Sequence, residues 1–531
     1  MVLLSLQYEC LVDDLRSVKK CPMIKDVCEY CLNNREYLLR VYPLSSGQGK
    51  YIKDPVHGMM FFETDELILI DSCYMQRLRK ISQLSFIHYL FPSARHSRFE
   101  HSLGMTYLVK KIFDIIREKG IPEEGQESLE LKKKMLIYSA LLHDIGHGPF
   151  SHASEEFAYL LNELMSKRRK ETKIHERRSS QIISDRFIRR KEGVKYVKFT
   201  NCLYRTLRSL LSLKFDLDYS ETRLAIISIA DCIMSYHEKP FGGLDYALRR
   251  LINGPLDADK LDYLLRDSYH AGFKISQAFD VDRIILGYGI HKDRKGRYIL
   301  TLEEKAALEV LSLLNARLME KSAVWGHPLT VVTAGMMRKA LYMNMPKPQS
   351  LRALQSYKGQ LLGLDDKGFF DLLGDLRKKG KIIKVDRMLE NRYLFKKLLV
   401  WKTDQALPKI GDGRMIFLSK IEEEIANKAF LEEEDVIACV QEPYEALPDI
   451  DDLKELSIYS RFGNEIMNFL KFSKNTLGLD ERFWRGGKSN LSYIIICVPP
   501  DKIKTSLLTI SEQVLMNKGL RGELMDRSKL L

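Results

Sequence analysis

Two ligand-capable side chains, His143 and Asp144, follow directly on the apolar run Met135–Leu142 in KKKMLIYSALLHDIGHGPFSH. The run reads as a buried helix, which Gly146, Gly148 and Pro149 then break. An imidazole and a carboxylate side by side, where a buried helix stops and the backbone turns away, would open on a concave site. His143 and His147 are four residues apart and would share a face if the helix persisted that far. The bland alternative is a pair of core histidines with hydrogen-bonded rings, and Asp144 as a cap. Upstream, FPSARHSRFEHSLGM sets His96, Arg98, Glu100 and His101 ahead of the helical apolar positions Leu103 and Leu108. Downstream, in GPLDADKLDYLLRDSYHAG, Asp259, Tyr263 and Asp267 fall at spacings of four on one helical face. Local pairing of Asp257, Lys260, Asp262 and Arg266 on a solvated face would also account for that segment. Yet Leu256, Leu261, Leu264 and Leu265 give it a buried side, so the acidic row could as well look into a cleft.

Holding these segments together requires a substantial helical scaffold, and the chain has one. It is 531 residues long, with 45% hydrophobic and 29% charged residues, a globular composition sufficient for roughly two to four domains. Residues 1–50 form a cysteine-bearing leader ending in SSGQGK, and residues 51–328 are dense in helical apolar patterns. Residues 329–531 read as a smaller α+β region. There, charged helices (DLLGDLRKKGKIIK, LSKIEEEIANKAFLEEED) alternate with β-like runs such as Tyr493–Val498, which is stopped by Pro499 and Pro500. The fold class expected is therefore mainly α. No apolar run approaches the ~18 residues that span a bilayer, and MVLLSLQYECLVDD lacks the basic start of a secretory signal. The net charge of +13 favours anionic partners: nucleic acid, nucleotides or acidic membrane. Nine scattered cysteines do not form a disulfide framework and suggest a reducing, cytoplasmic compartment. Cys28 and Cys31 form a CxxC near Cys10 and Cys21, but no second tight pair completes a zinc site. The basic stretch Lys167–Arg178 could bind nucleic acid. It has no interleaved aromatic residues to stack bases, and a solvated insertion beside an anionic pocket explains it better.

The set RFEHSLG, LLHDIGHGPFSH and LDADKLDYLLRD, with KDPVHG and IDSCYMQRLRKISQL ahead of it, resembles the HD-domain phosphohydrolases. More narrowly it resembles their deoxynucleoside triphosphate triphosphohydrolase branch. The likeness runs from about Lys50 to about His327, and no SAM domain is seen. It implies an HD-type helical bundle and a divalent ion (Mn, Fe, Zn or Mg, undetermined) held by His101, His143, Asp144 and Asp259. Such an N/O shell suits those ions. The resemblance also implies catalytic roles for His147, His152, Glu155 and His175. His152 would protonate the departing 5′ oxygen and Glu155 would orient it. Mammalian members of the branch have aspartate where Glu155 stands. Arg98, Lys260 and Arg317 would contact phosphates, and Gln83, Leu84 and Asp267 the sugar and its 3′ hydroxyl. Tyr263 would leave no room for a 2′ hydroxyl. Trp325 replaces a tyrosine of the mammalian members. Asp71, Gln76 and Arg79 match a guanine-nucleotide activator site that lies between subunits in some members, implying a homo-oligomer. The bland reading of that helix is an amphipathic one with Arg77 and Arg79 solvated.

The residues alone reach a metal-dependent phosphohydrolase with an anionic substrate. The resemblance narrows this to conversion of a dNTP into deoxynucleoside and inorganic triphosphate. Two alternatives stand beside it: another HD chemistry, on monophosphates or phosphodiesters, and a non-enzymatic nucleic-acid-binding protein.

Overall fold

The computed structural model describes residues 48–121, 126–165, 174–184, 202–234, 243–343, 345, 354, 358–359, 361–378, 389–409, 413–441, 450–461, 463–485 and 492–525. Cys10, Cys21, Cys28 and Cys31, and the basic residues at 167–173, lie outside these. The expected mainly helical class holds, with a few small sheets.

The first element is an antiparallel hairpin, β1 (Gly49–Asp54) and β2 (Gly58–Glu63). Its turn is set by Asp54 Oδ1, which accepts from the Val56 and His57 amides at 2.9 Å each. Gly58 closes it with φ +74°. Helices α1 (Thr64–Ile70) and α2 (Cys73–Leu78) lead to α3 (Arg98–Lys119), which starts at a Ser97/Glu100 capping box. Then come α4 (Gln126–Leu142), α5 (His152–Leu164), α6 (Ile174–Ser184), α7 (Cys202–Phe215), α8 (Tyr219–Ile233) and α9 (Ala258–Ala271). Helix α9 begins at the Asp257 cap and ends on Gly272 in the left-handed conformation.

Helix α3 is the central post. Val109, Ile112 and Phe113 bury against Leu136 and Ala140 of α4 and Leu261 and Leu264 of α9. Leu103 belongs to a second core with Leu141, Ile226 and Ile229. Each such fully buried aliphatic is worth about 1.5–3 kcal/mol, so the ends of α3, α4 and α9 are held rigidly together.

Beyond α9 lie β3 (Tyr288–Lys292), β4 (Tyr298–Glu303) and α10 (Glu304–Glu320), the last running into a π-turn at Lys321–Trp325. Next are α11 (Pro328–Met343), α12 (Asp366–Lys378), β5 (Lys396–Thr403), α13 (Arg414–Ala429), β6 (Ile437–Gln441), β7 (Ser457–Ser460), β8 (Glu465–Asn468), β9 (Ser492–Val498), α14 (Thr505–Asn517) and β10 (Glu523–Leu524). Two four-stranded sheets result, ordered β3-β4-β7-β8 and β10-β5-β9-β6. Strand β9 is unbroken in its hydrophobicity because both faces are covered. Ile494, Ile496 and Val498 enter one core and Ile495 and Cys497 another. Strand β4 pairs in parallel with β7, and the core around Phe150 and Phe157 takes in Phe369, Ile437 and Ile495. Segments on either side of residue 328 thus share a sheet and a core. Among the described residues no helix is long and apolar enough to cross a membrane.

A buried ion cluster ties α1 to α4. Lys134 Nζ lies 2.9 Å from Asp65 and 2.7 Å from Glu66, while Lys214 Nζ and the Tyr138 hydroxyl donate to Asp65 at 2.8 and 2.6 Å. Burial pushes the Asp65 carboxyl up, but Lys134 and Lys214 outweigh it and hold the pKa at about 2. A depressed pKa contributes stability above the unfolded value of ~3.9, lost as pH falls towards the folded value. The shift is worth about 2–3 kcal/mol. Asp65→Asn should therefore be less stable at pH 7 by about that amount and show a flatter acid limb between pH 5 and 2. Urea unfolding across that range checks this.

Candidate active site

The end of α4 departs from the expected continuous face. The helix stops at Leu142, and residues 143–146 form a turn, so His143 and His147 do not sit one helical turn apart. The turn instead wraps both rings round Asp144. His143 Nε2 is 3.2 Å and His147 Nε2 3.4 Å from Asp144 Oδ1. Buried Arg77 fastens this loop through the Ile145 and His147 carbonyls at 3.1 and 2.5 Å. That overturns its reading as a solvated residue: α2 turns this side chain inward, where three backbone carbonyls, including Leu364 O, take its guanidinium. Strain accumulates at the same place. Phe150 and Ser151, which precede α5, both have positive φ, as does Ser85 beside Leu84.

His101, His143 and Asp144 bring one ligand atom each within 4.8 Å of one another. The two Nε2 atoms are 3.3 Å apart, and Asp259 Oδ1 lies 2.9 Å from His101 Nε2, at the edge of the group. In each histidine Nδ1 is already engaged, by Asp262 Oδ2 at 2.8 Å for His101 and by Ala140 O at 2.7 Å for His143. This leaves Nε2 as the atom presented inward. Burial opposes charge on His101, yet Asp259 and Asp262 pull its pKa up to about 10. Burial would raise Asp144, but Arg98, His143 and His147 hold it well below the ordinary carboxylate range. Crowded carboxylates that keep a histidine protonated mark a place suited to a cation. The donor set fits a divalent ion held by His101, His143 and Asp144, with Asp259 adjacent.

A second group, His147, His152, Glu155 and His175, lies beside the first and could also hold a cation. Glu155 bridges it, 3.0 Å from His152 Nδ1 and 2.7 Å from His175 Nδ1. His147 stacks on His175 with centroids 3.9 Å apart. Burial, with Arg98 and His175 near, holds the His147 imidazole well below its ordinary value, so that ring is neutral. Burial works against charge on His175, and Glu155 overcomes it and raises that pKa. His175 is therefore no surface histidine. Helix α6 passes so close to the turn that a Cβ at Gly146 would meet its backbone, 2.1 Å from His175 O.

A cleft of about 1120 Å³ opens on both groups. Gln83, Arg98, Lys260, Tyr263 and Trp325 also line it. Arg98 donates to Asp144 Oδ2 and Ser151 Oγ, both at 2.8 Å, and Lys260 Nζ is 2.5 Å from Asp257. The local pairing considered for α9 is thus real, but it is buried rather than solvated. Trp325 meets His152 edge-on at 5.6 Å. Leu84 packs with Ile87 and Val324, away from the cleft lining. Asp267 is buried against His96 Nε2 at 2.7 Å, and Arg317 lies on α10 near Tyr263. Asp71, Gln76 and Arg79 form a separate chain. Gln76 Nε2 is 3.5 Å from Asp71 Oδ1, Arg79 Nε donates to Gln76 Oε1 at 2.8 Å, and the Arg79 guanidinium sits over Phe99.

Sequence reasoning passed over Glu320, Asp262 and His57. Glu320 lines the cleft while almost wholly buried, with its carboxyl set against Asp267 and Trp325. Burial, with Asp267 beside it, pushes its carboxyl well above the ordinary range. Nothing local in NARLMEKS distinguishes it from a surface glutamate. Asp262 and His57 bond each other at 2.6 Å; only the KDPVHG motif marks His57, and Asp262, within LDADKLDYLLRD, reads along the chain as a local pairing partner.

Residues 98–233 match the family model of the HD domain, and residues 279–474 that of the HD associated region. The chain is an HD-domain protein. An uncharacterised protein of Methanocaldococcus jannaschii is 30% identical to this HD-domain protein over 292 residues, covering 55% of this chain and 49% of the relative. The deoxynucleoside triphosphate triphosphohydrolase SAMHD1 homolog of Dictyostelium discoideum is 30% identical over 228 residues, 43% of this chain and 38% of the relative. The Bos taurus deoxynucleoside triphosphate triphosphohydrolase SAMHD1 is 28% identical over 259 residues, 48% of this chain and 41% of the relative. The HD-domain protein spans about half or less of the length of these relatives.

Proposed function

We propose that this HD-domain protein hydrolyses deoxynucleoside triphosphates to the deoxynucleoside and inorganic triphosphate. One observation carries the reading: a single cleft is lined by His143, Asp144 and Asp259, by His152 and His175, and by Lys260 and Tyr263. Relatives of about 30% identity that are named for this activity support it. A divalent ion on His101, His143, Asp144 and Asp259 would polarise the α-phosphoryl group and lower the pKa of an attacking water.

The chain's own residues do the rest. Lys260 and Arg98 offer positive charge to the phosphates, Arg98 as a planar fork and Lys260 as a point charge, and Arg317 adds to that charge from α10. His152 carries a proton to the departing 5′ oxygen, and Glu155 fixes its ring through Nδ1. His147 and His175 bound the water side. Gln83 brings to the cleft an acceptor oxygen without a partner among the described residues, suited to a 3′ hydroxyl, and Asp267 would join that contact. Tyr263 fills the space of a 2′ hydroxyl. The Asp71–Gln76–Arg79 chain would take a guanine nucleotide between subunits, making the active form an oligomer.

The second histidine group favours one rival. Were it to hold its own cation, a two-metal phosphomonoesterase or phosphodiesterase would follow. Chromatography of products from a metal and nucleotide panel decides. Intact triphosphate is expected, whereas orthophosphate or pyrophosphate overturns the proposal. Tyr263→Ala should narrow the preference for dNTP over NTP by about tenfold or more, read as a ratio of kcat/KM values.

A further inference from the structure

Three segments that are distant in sequence converge on one carboxylate away from the cleft. Asp262, on α9, is fully buried and has no spare acceptor capacity. Its Oδ2 takes His101 Nδ1 at 2.8 Å and Arg266 Nε at 2.9 Å. Its Oδ1 takes His57 Nε2 at 2.6 Å and Arg266 Nη2 at 3.0 Å. Arg266 is clamped from its far side by Asp54 Oδ2 at 2.8 Å. The same Asp54 folds the hairpin turn through the Val56 and His57 amides, which aims the His57 ring inward. Gly104, one turn after His101 on α3, leaves the room for all this. A Cβ there would stand 1.9 Å from Asp262 Oδ1 and 2.3 Å from Arg266 Nη2.

We propose that Asp262 is the positioning residue of the metal centre, and that the Asp54–His57 turn with Arg266 is the strap that fixes it. Asp262 touches no substrate. It orients the His101 ring so that Nε2 faces His143 and Asp144, and its negative charge makes that nitrogen a stronger donor. Carboxylates behind metal-bound imidazoles act in this way. Four hydrogen bonds leave the carboxylate a single rotamer, so the orientation reaches His101 with little play. The KDPVHG motif thereby has a task although none of its residues lines the cleft.

The inference rests on the reading of His101, His143, Asp144 and Asp259 as a metal centre, and the test separates the two. Mn2+ and Co2+ binding to the full chain is measured by calorimetry, and the Co2+ absorption spectrum is recorded. Asp262→Asn keeps the shape but loses the charge, and it sets an amide N–H2 where one carboxylate oxygen accepted two of the four donors. It should weaken binding by about 10–100-fold and shift the spectrum, with Asp262→Glu recovering part of the loss. His57→Gln, which leaves Asp262 bonded to His101 and Arg266, should give a smaller loss in the same direction and carries the test if Asp262→Asn does not fold. A lowered melting temperature with unaltered affinity and spectrum in either folded variant overturns the inference alone. A wild-type protein that binds neither ion overturns the metal centre and the inference with it.

Discussion

Exchanging Asp144 for asparagine should empty the metal centre and lower turnover by about 10³-fold or more, the expected consequence of removing several kcal/mol of charge stabilisation. Asp144 is the residue on which the site turns. It is buried, takes Arg98 at 2.8 Å, and lies within 3.4 Å of the inward nitrogens of His143 and His147. Asparagine preserves its volume but presents a neutral oxygen and an amide where the cation and Arg98 both need an anion. Some stability will be lost as well, because the buried Arg98 guanidinium loses its anionic partner. Asp259→Ala separates the two effects. Its side chain is 39% exposed to the cleft, so the fold should tolerate the change while turnover falls comparably. Metal content by mass spectrometry, turnover and melting temperature, measured on both variants, form the test. Full activity in folded Asp259→Ala removes that residue from the ligand set. Normal metal content in Asp144→Asn removes the centre itself.

His152→Gln should lower kcat by about 10²–10⁴-fold, the usual contribution of a positioned acid, with KM and metal content nearly unchanged. Its ring is half exposed to the cleft, its Nδ1 is held by Glu155, and it is not one of the His101, His143 and Asp144 group. The partner variant Glu155→Gln tests the bridge. Burial alone would raise the Glu155 carboxyl, but His175 and His152 hold it well below its ordinary range. The His175 pKa is raised by the same contact, against the effect of burial. The raised histidine contributes stability that is complete below ~6.5 and lost as pH rises through its folded value. The lowered glutamate contributes stability above ~4.3, lost as pH falls through its depressed value. The contact therefore widens, at both ends, the pH range over which the two groups are oppositely charged. Glu155→Gln should drop the His175 titration, followed by NMR, and reduce kcat along with it. A His175 titration unmoved in that variant contradicts the bridge.

Much of this was legible along the chain because local rules and global fold agree. Apolar periodicity marked α3, α4 and α9. The glycines and proline after Leu142 marked the turn, and the run Tyr493–Val498 marked a strand, which the structure covers on both faces. Charged side chains were harder to read. Arg77, Asp262, Arg266 and Glu320 look like solvated residues of amphipathic helices, yet all are nearly inaccessible. Periodicity says which face of a helix is apolar. It does not say whether the polar face meets water or another polar face, since that depends on which helix arrives opposite.

The residue types by themselves determined the chemistry on offer: imidazoles and carboxylates able to hold a divalent ion, further imidazoles able to move a proton, and cations for phosphate. They also determined the helices that carry these groups, because hydrogen bonding and apolar spacing within one segment are local. Only the tertiary structure decided which nitrogen of each histidine faces inward, that Glu155 joins two rings, and that the hairpin turn braces His101 through Asp262. Those outcomes depend on hydrogen bonds between segments up to about two hundred residues apart, such as His57 to Asp262. The direction of such bonds is set by helix packing and by the close approach that Gly104 and Gly146 allow.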